Sequence, residues 1–342
     1  MTTPPPDCID LASRALGGAV VWANDEFFGM KENLVTPAPP TFSPHTFDLK
    51  GQIVDGWETR RRRPGGPGVD GTAYDSAIVR LGAPGRIRAV TVDTSFFVGN
   101  YPPAASLEAT RLDGFPSPQD LLAAEWLTIV PERKLAGDSA NDFEVEDEEP
   151  GRRGFTHVRL NNIPDGGIAR LRVYGQALAD PEFTVGVQCD LAAARNGARI
   201  TGSSNAFFSP ATAALMPGES RVMGEGWETA RRRDEGNDWI EVRLAGEGEA
   251  RIIEIDTANY KGNAPDRITL RGRVDAGEWF ELLPRTRIQP DTLHRFRFEN
   301  ASPATHLRLD TYPDGGIARL RVHGVLTDRG AADVRAAWRA AV

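Results

Sequence analysis

The chain has 342 residues, with 40 Lys or Arg against 48 Asp or Glu and a net charge of −8. That acidic surplus argues against nucleic acid or an anionic membrane as a partner, and the length suits two domains of roughly 100–200 residues each. With no long apolar run and no basic-then-apolar opening, neither a membrane span nor a secretion signal is expected, and a cytoplasmic setting is.

Residues 1–15 read as a lead. Beyond them the chain is written twice. Phe27-Phe28 answers to Phe207-Phe208, DGWETRRRR at 55–63 to EGWETARRR at 225–233, and IVRLG at 78–82 to EVRLA at 241–245. Asp93-Thr94 answers to Asp256-Thr257, GNYP at 99–102 to GNAP at 262–265, Trp126 to Trp279 and His157 to His306. PDGGIARLRV stands letter for letter at 164–173 and at 313–322. The spacing between partners falls wherever the first copy carries extra residues, as in TPAPPTFSPH, PGGPGVDG and EDEEPGRRG. Pro/Gly-rich or charged insertions of this kind are loops between matched strands. The copies give a first repeat at 16–178, a linker at 179–190, a second repeat at 191–327 and a tail at 328–342.

Strand patterns dominate each copy. In RIRAVTVD (86–93), Val90 and Val92 face one way and Thr91 and Asp93 the other; Ile253 and Ile255 take the matching places in RIIEID (251–256). HVRLN (157–161) sets Val158 and Leu160 against His157 and Arg159, and IARLRVYG sets Leu171 and Val173 against Arg170 and Arg172. Between them IPDGG supplies a turn, with Gly166 and Gly167 free to take positive φ. Short alternating strands predict an all-β protein of two tandem β-sandwich domains, of the jelly-roll kind. Only 117–127 and 331–342 look partly helical. The acidic run EVEDEE (144–149), present in one copy, reads as a solvated loop. Cys8 and Cys189, each just ahead of a D-L-A segment, are expected to be reduced thiols.

The doubled GWET and DGGIARLRV motifs resemble those of allantoicases, and the likeness runs from about residue 16 to 327. The resemblance implies two jelly-roll domains similar to the galactose-binding or discoidin module. It also implies hydrolysis of the small molecule allantoate to ureidoglycolate and urea. A related hydrolase acting on ureidoglycolate, or a tandem sandwich that binds carbohydrate without catalysis, are the competing readings, since a fold alone grants no activity.

Allantoate carries a carboxylate and two ureido groups on one carbon. Expelling urea requires a cation for the carboxylate, an acid, a base and hydrogen bonds to the amides. Arginine's planar fork suits the first role, and the candidates are Arg61, Arg62 and Arg170 with Arg231, Arg232 and Arg319. The acid or base candidates are Glu58 and Glu228, Asp93 and Asp256, Asp165 and Asp314, and His157 and His306. Each also has a structural reading: arginines in a salt-bridge network, aspartates as turn or loop residues, histidines packed or facing solvent. No HExxH, paired CxxC, Walker loop or G-x-S-x-G elbow occurs, so no organic cofactor is expected. A divalent metal stays open, because the carboxylates and His157 or His306 could ligate one, and so does a homo-oligomer. Arg60 answers to Ala230, Asn161 to Asp310 and Tyr174 to His323. Such unequal halves favour one site drawn from both copies over one site in each.

Overall fold

The computed structural model describes residues 7–63, 73–145, 152–300 and 302–342. PGGPGVDG lies outside these residues, as does most of EVEDEE. The chain forms two compact units, chiefly Cys8–Gln176 and Ala177–Ala340.

The first unit contains β1 (Ile9–Asp10), β2 (Ala19–Ala23), β3 (Phe47–Asp48), β4 (Gly51–Gln52), β5 (Trp57–Glu58), β6 (Asp75–Asp93), β7 (Ala104–Thr110), β8 (Leu127–Lys134), β9 (Ala140–Glu144), β10 (Phe155–Ile163), β11 (Gly167–Ile168) and β12 (Arg170–Ala177). The second repeats this order without the β3–β4 hairpin: β13 (Cys189–Asp190), β14 (Arg199–Ser203), β15 (Trp227–Glu228), β16 (Asp238–Asp256), β17 (Arg267–Arg273), β18 (Phe280–Arg287), β19 (Leu293–Arg297), β20 (Ala304–Tyr312), β21 (Gly316–Ile317) and β22 (Arg319–Leu326). In each unit eight strands connect through one long member. The order is β1-β12-β6-β10-β7-β8 with β2 and β9 also on β6, and β13-β22-β16-β20-β17-β18 with β14 and β19 on β16.

The 19 residues of β6 serve both layers of the sandwich. Its first part pairs with β10 and β2 and its last part with β9. The register against β10 slips between Gly85 and Arg80, around GAPG, where Pro84 offers no ladder donor. The predicted core faces are inside: Val90, Val92, Val158, Leu160, Leu171, Val173, Ile253 and Ile255 are all buried. Trp57 and Trp227 are fully enclosed, and their indole N–H groups donate to Asp25 O at 2.7 Å and Asn205 O at 2.8 Å. Truncating either to Ala would cost roughly 3–5 kcal/mol.

Three expectations change. Residues 9–12 are no loose lead, since β1 pairs with Tyr174–Gly175 of β12 and Leu11 and Ala12 are buried. The outward faces of β10 and β12 are covered too, leaving His157 and Arg170 each 1% exposed. In the PDGG turn only the first glycine needs positive φ: Gly166 has 140° and Gly315 has 130°. The second is required by close approach, because a Cβ on Gly167 or Gly316 would lie 2.0 Å from the ring of Phe97 or Tyr260.

Helices are few, as expected. Pro118–Ala123 (α1) starts at a Ser117–Asp120 capping box, Pro181–Thr184 (α2) lies in the segment read as linker, and Asp328–Arg339 (α3) forms the tail. Among the described residues no helix is long and apolar enough to cross a membrane. Neither Cys8 nor Cys189 is in a disulfide. Burial, helped by Asp190, pushes the Cys189 thiol up to about 11, which leaves it a poor nucleophile.

Candidate active site

The GWET motif becomes a short edge strand that holds one glutamate from both sides. In the second unit β15 pairs with β21 so that Glu228 faces Gly316, and Glu228 also bridges to Ser209. The Asn263 carboxamide donates to Glu228 Oε1 at 2.5 Å. Above this pair opens a cleft of about 570 Å³, lined among others by Phe208, Glu228, Arg231, Arg233, Asn263 and Asp314. That size suits a small-molecule pocket.

Extended backbone sends successive side chains to opposite sides, and this sorts the arginine run. Arg231 and Arg233 are exposed on the cleft wall, and among the described residues neither guanidinium has a hydrogen-bond or ion-pair partner. Arg232 turns inward to the fully buried Asp238, with Nη1 at 2.7 Å from Oδ1, while its backbone N–H donates to Asp314 Oδ2 at 2.7 Å. Arg232 is therefore a structural tie that fixes Asp314 at the cleft.

The first unit repeats the plan. Glu58 faces Gly167, and Asn100 donates to Glu58 Oε1 at 2.8 Å. Burial raises the Glu58 carboxyl above its ordinary range, opposed by the Asn100 hydrogen bond. Arg62 pairs with buried Asp75, and its backbone N–H donates to Asp165 Oδ2 at 2.8 Å. Arg61 and Arg63 are exposed, as Arg231 and Arg233 are. The exchange of Arg60 for Ala230 is a local compensation. Arg60 Nε lies 2.6 Å from Asp25, whereas the second unit has the neutral Asn205 there, whose Oδ1 accepts from the N–H groups of Ala230 at 3.1 Å and Phe207 at 3.0 Å.

Other candidates lie elsewhere. Arg170 is enclosed by the carbonyls of Ala38, Asp55 and Ala169 and by the Asp55 carboxylate at 2.8 Å. Arg319 is 6% exposed and donates to the carbonyls of Gly218, Glu219, Glu225 and Ala318. Both are fold residues and neither lines a cleft with Glu58 or Glu228. Asp93 accepts from the N–H and hydroxyl of Ser95, and Asp256 from the N–H of Ala258, as strand-end turns. Asp256 faces a separate depression beside Arg319.

The histidines are also remote. His157 and His306 lie five residues before Asn162 and Thr311, the partners of Asp75 and Asp238, or about 17 Å along the strand at ~3.3 Å per residue. Each ring bonds its neighbouring threonine hydroxyl at 2.8 Å. Burial, with the Arg80 charge, pulls His157 down to about 4, and burial also lowers His306. His157 is thus neutral in the fold, and its contribution to stability, full above pH 6.5, is lost as pH falls toward 4. We expect His157→Gln to abolish that acid-side loss, on the order of 1–3 kcal/mol, and to leave turnover unchanged. Denaturation at pH 4.5 and 7.5 beside a rate assay checks both, and a stable variant without turnover would return His157 to the chemistry.

Asn100 and Asn263 and the aromatic pairs ending in Phe28 and Phe208 complete the two sites, and Arg233 joins the second alone. All were visible as duplicated residues. Among the described residues no group of three or more His, Cys, Asp or Glu side chains could hold a metal ion.

The allantoicase repeat family matches residues 9–178 and again 189–327. A probable allantoicase of Streptomyces coelicolor is 51% identical over 334 residues, covering 96% of this chain and 88% of that protein. One of Nocardia farcinica is 51% identical over 319 residues, covering 93% and 94%. The crystal structure of allantoicase from Saccharomyces cerevisiae is 33% identical, covers 93% of each chain and superposes with a TM-score of 0.76. With both repeats matched and relatives at half identity along nearly its whole length, the chain belongs to the allantoicase family.

Proposed function

We propose that this chain hydrolyses allantoate to ureidoglycolate and urea, and that the second-repeat cleft is the seat of the reaction. The observation that carries the placement is that two unpaired guanidinium groups, Arg231 and Arg233, share one cleft with Glu228 and Asp314. Unanswered cations side by side repel one another, and a carboxylate ligand relieves them through charge-assisted bonds.

With the carboxylate held there, the central carbon lies between two protein carboxyl groups. One gives a proton to the departing ureido nitrogen as the C–N bond breaks, assisted by the lone pair of the remaining ureido group. The other takes a proton from water, whose oxygen bonds the carbon. One water is consumed and one urea leaves. Asn263 fixes Glu228 Oε1 and leaves Oε2 for proton exchange; the Arg232 N–H fixes Asp314. No organic cofactor enters these steps. A cytoplasmic setting is supported by two cysteines that form no disulfide.

The test is urea release from allantoate, run beside ureidoglycolate, with and without a chelator. Release from allantoate alone, without added nucleotide or organic cofactor, is expected. No urea above a heat-killed control under any condition would overturn the assignment, and saturable sugar binding in its place would favour a carbohydrate-binding sandwich.

A further inference from the structure

The two clefts are not copies of each other. Between Phe28 and Trp57 the first repeat carries ten more residues than the second does between Phe208 and Trp227, and this insertion forms the β3–β4 hairpin. The hairpin region walls in a cleft of about 250 Å³ whose lining includes Phe42, Lys50, Glu58, Phe96 and Asn100. Arg61 and Arg63 do not line it.

Three features of this wall lack a purely structural role. Lys50 Nζ has no ion pair among the described residues, only the face of Phe27 at 5.3 Å. Glu58 Oε1 accepts from Asn100, and among the described residues Oε2 has no donor. Asp55, the other carboxylate on the wall, is already engaged by Arg170 at 2.8 Å and by the N–H of Thr41 at 2.9 Å. The third feature is Phe96, which stands in the left-handed region at φ 68° and stacks on Phe42 with centroids 5.8 Å apart. The matched residue is Asn259 at φ 72°, and asparagine accepts that conformation far more readily than a bulky aromatic. A strained phenylalanine, 47% exposed on a cleft wall, is an outlier of the kind that clusters at ligand sites.

We propose that the first-repeat cleft is a second, smaller ligand site that takes a monocarboxylate bearing one ureido group. This is the class of molecule left when allantoate loses urea, and in that respect the inference rests on the function proposed above. Lys50 answers the carboxylate, Glu58 Oε2 and Asn100 Oδ1 accept from the ureido N–H groups, and the Phe42–Phe96 wall covers the flat face. The second repeat, lacking the hairpin and with Asn259 in place of the aromatic, holds no such site.

The probe is hydantoate, a stable ureido carboxylate, titrated into the full chain and followed by amide chemical shifts and calorimetry. Saturable perturbation of residues 41–58 and 95–100 is expected. Lys50→Met and Phe96→Asn should each weaken that binding at least tenfold and keep urea release from allantoate within about twofold. Phe96→Asn should also raise the Tm, by about 2–4 °C for each kcal/mol of relieved strain, so a folding defect is not the cause of the lost binding. Perturbation confined to the second cleft, or unchanged affinity in both variants, overturns the proposal. Loss of urea release in Lys50→Met overturns it too, because the first cleft would then be the catalytic one. If the chain releases no urea yet hydantoate binds in a Lys50-dependent way, the proposed function fails and the site stands.

Discussion

Glu228→Gln lowers kcat for urea release by ~10²–10³-fold and leaves the Tm within about 1 °C of the parent. The size follows from removing one positioned acid–base group, which contributes typically 10²–10⁴-fold. The unchanged stability follows from geometry. Gln keeps the carbonyl oxygen that accepts from Asn263, and the β15–β21 pairing uses only backbone groups. Glu58→Gln makes the same change in the first repeat, where the arginines stand away from the cleft, and urea release stays within about twofold. Steady-state rates and thermal melts on both variants decide the matter. Should both keep about half the turnover with KM unchanged, two equivalent sites operate and the placement of the reaction in the second repeat fails.

The fold was legible because a period of two is a property of the strand itself, and each of Val90, Val92, Val158 and Leu160 falls on the side its neighbours require. The site was legible only in part. Arg61, Arg62 and Arg63 look alike in the sequence, and what separates them is which side of an extended segment meets buried Asp75. Arg170 and Arg319 stand in the PDGGIARLRV stretch that is identical in both copies, yet that identity serves a buried guanidinium ringed by carbonyls. A polar residue that must satisfy a closed shell drifts as little as a catalytic one. Asn100 and Asn263 carry no such signal, for the opposite reason: a carboxamide does not titrate, and its value lies in the glutamate it holds across 42 and 35 residues of chain. The hairpin that makes the clefts unequal reads only as a Pro-rich insertion, because its place on the cleft wall depends on tertiary packing.

The last pair of expectations separates the two kinds of arginine. Arg319→Met destabilises the protein by about 3–5 kcal/mol, the range for breaking a buried charged network, and retains specific activity in the folded fraction. Its guanidinium donates to Glu225 O at 2.5 Å, Ala318 O at 2.6 Å, Gly218 O at 2.9 Å and Glu219 O at 3.2 Å. Among the described residues no carboxylate pairs with this guanidinium, and the Glu225 side chain is taken by Arg221 at 2.5 Å. Methionine fills much of the volume but leaves the carbonyls of the 213–225 segment unpaired, each at roughly 1–3 kcal/mol. Arg231→Ala does the reverse. Its side chain is exposed and bonds nothing among the described residues, so the Tm holds, while loss of one charge-assisted bond to substrate costs ~1.5–3 kcal/mol, or roughly ten- to a hundredfold in kcat/KM. Urea denaturation and initial rates on the two variants test the assignment in opposite directions. An Arg319→Met chain of full stability without turnover, or an Arg231→Ala chain that melts early at full specific activity, would exchange the two roles.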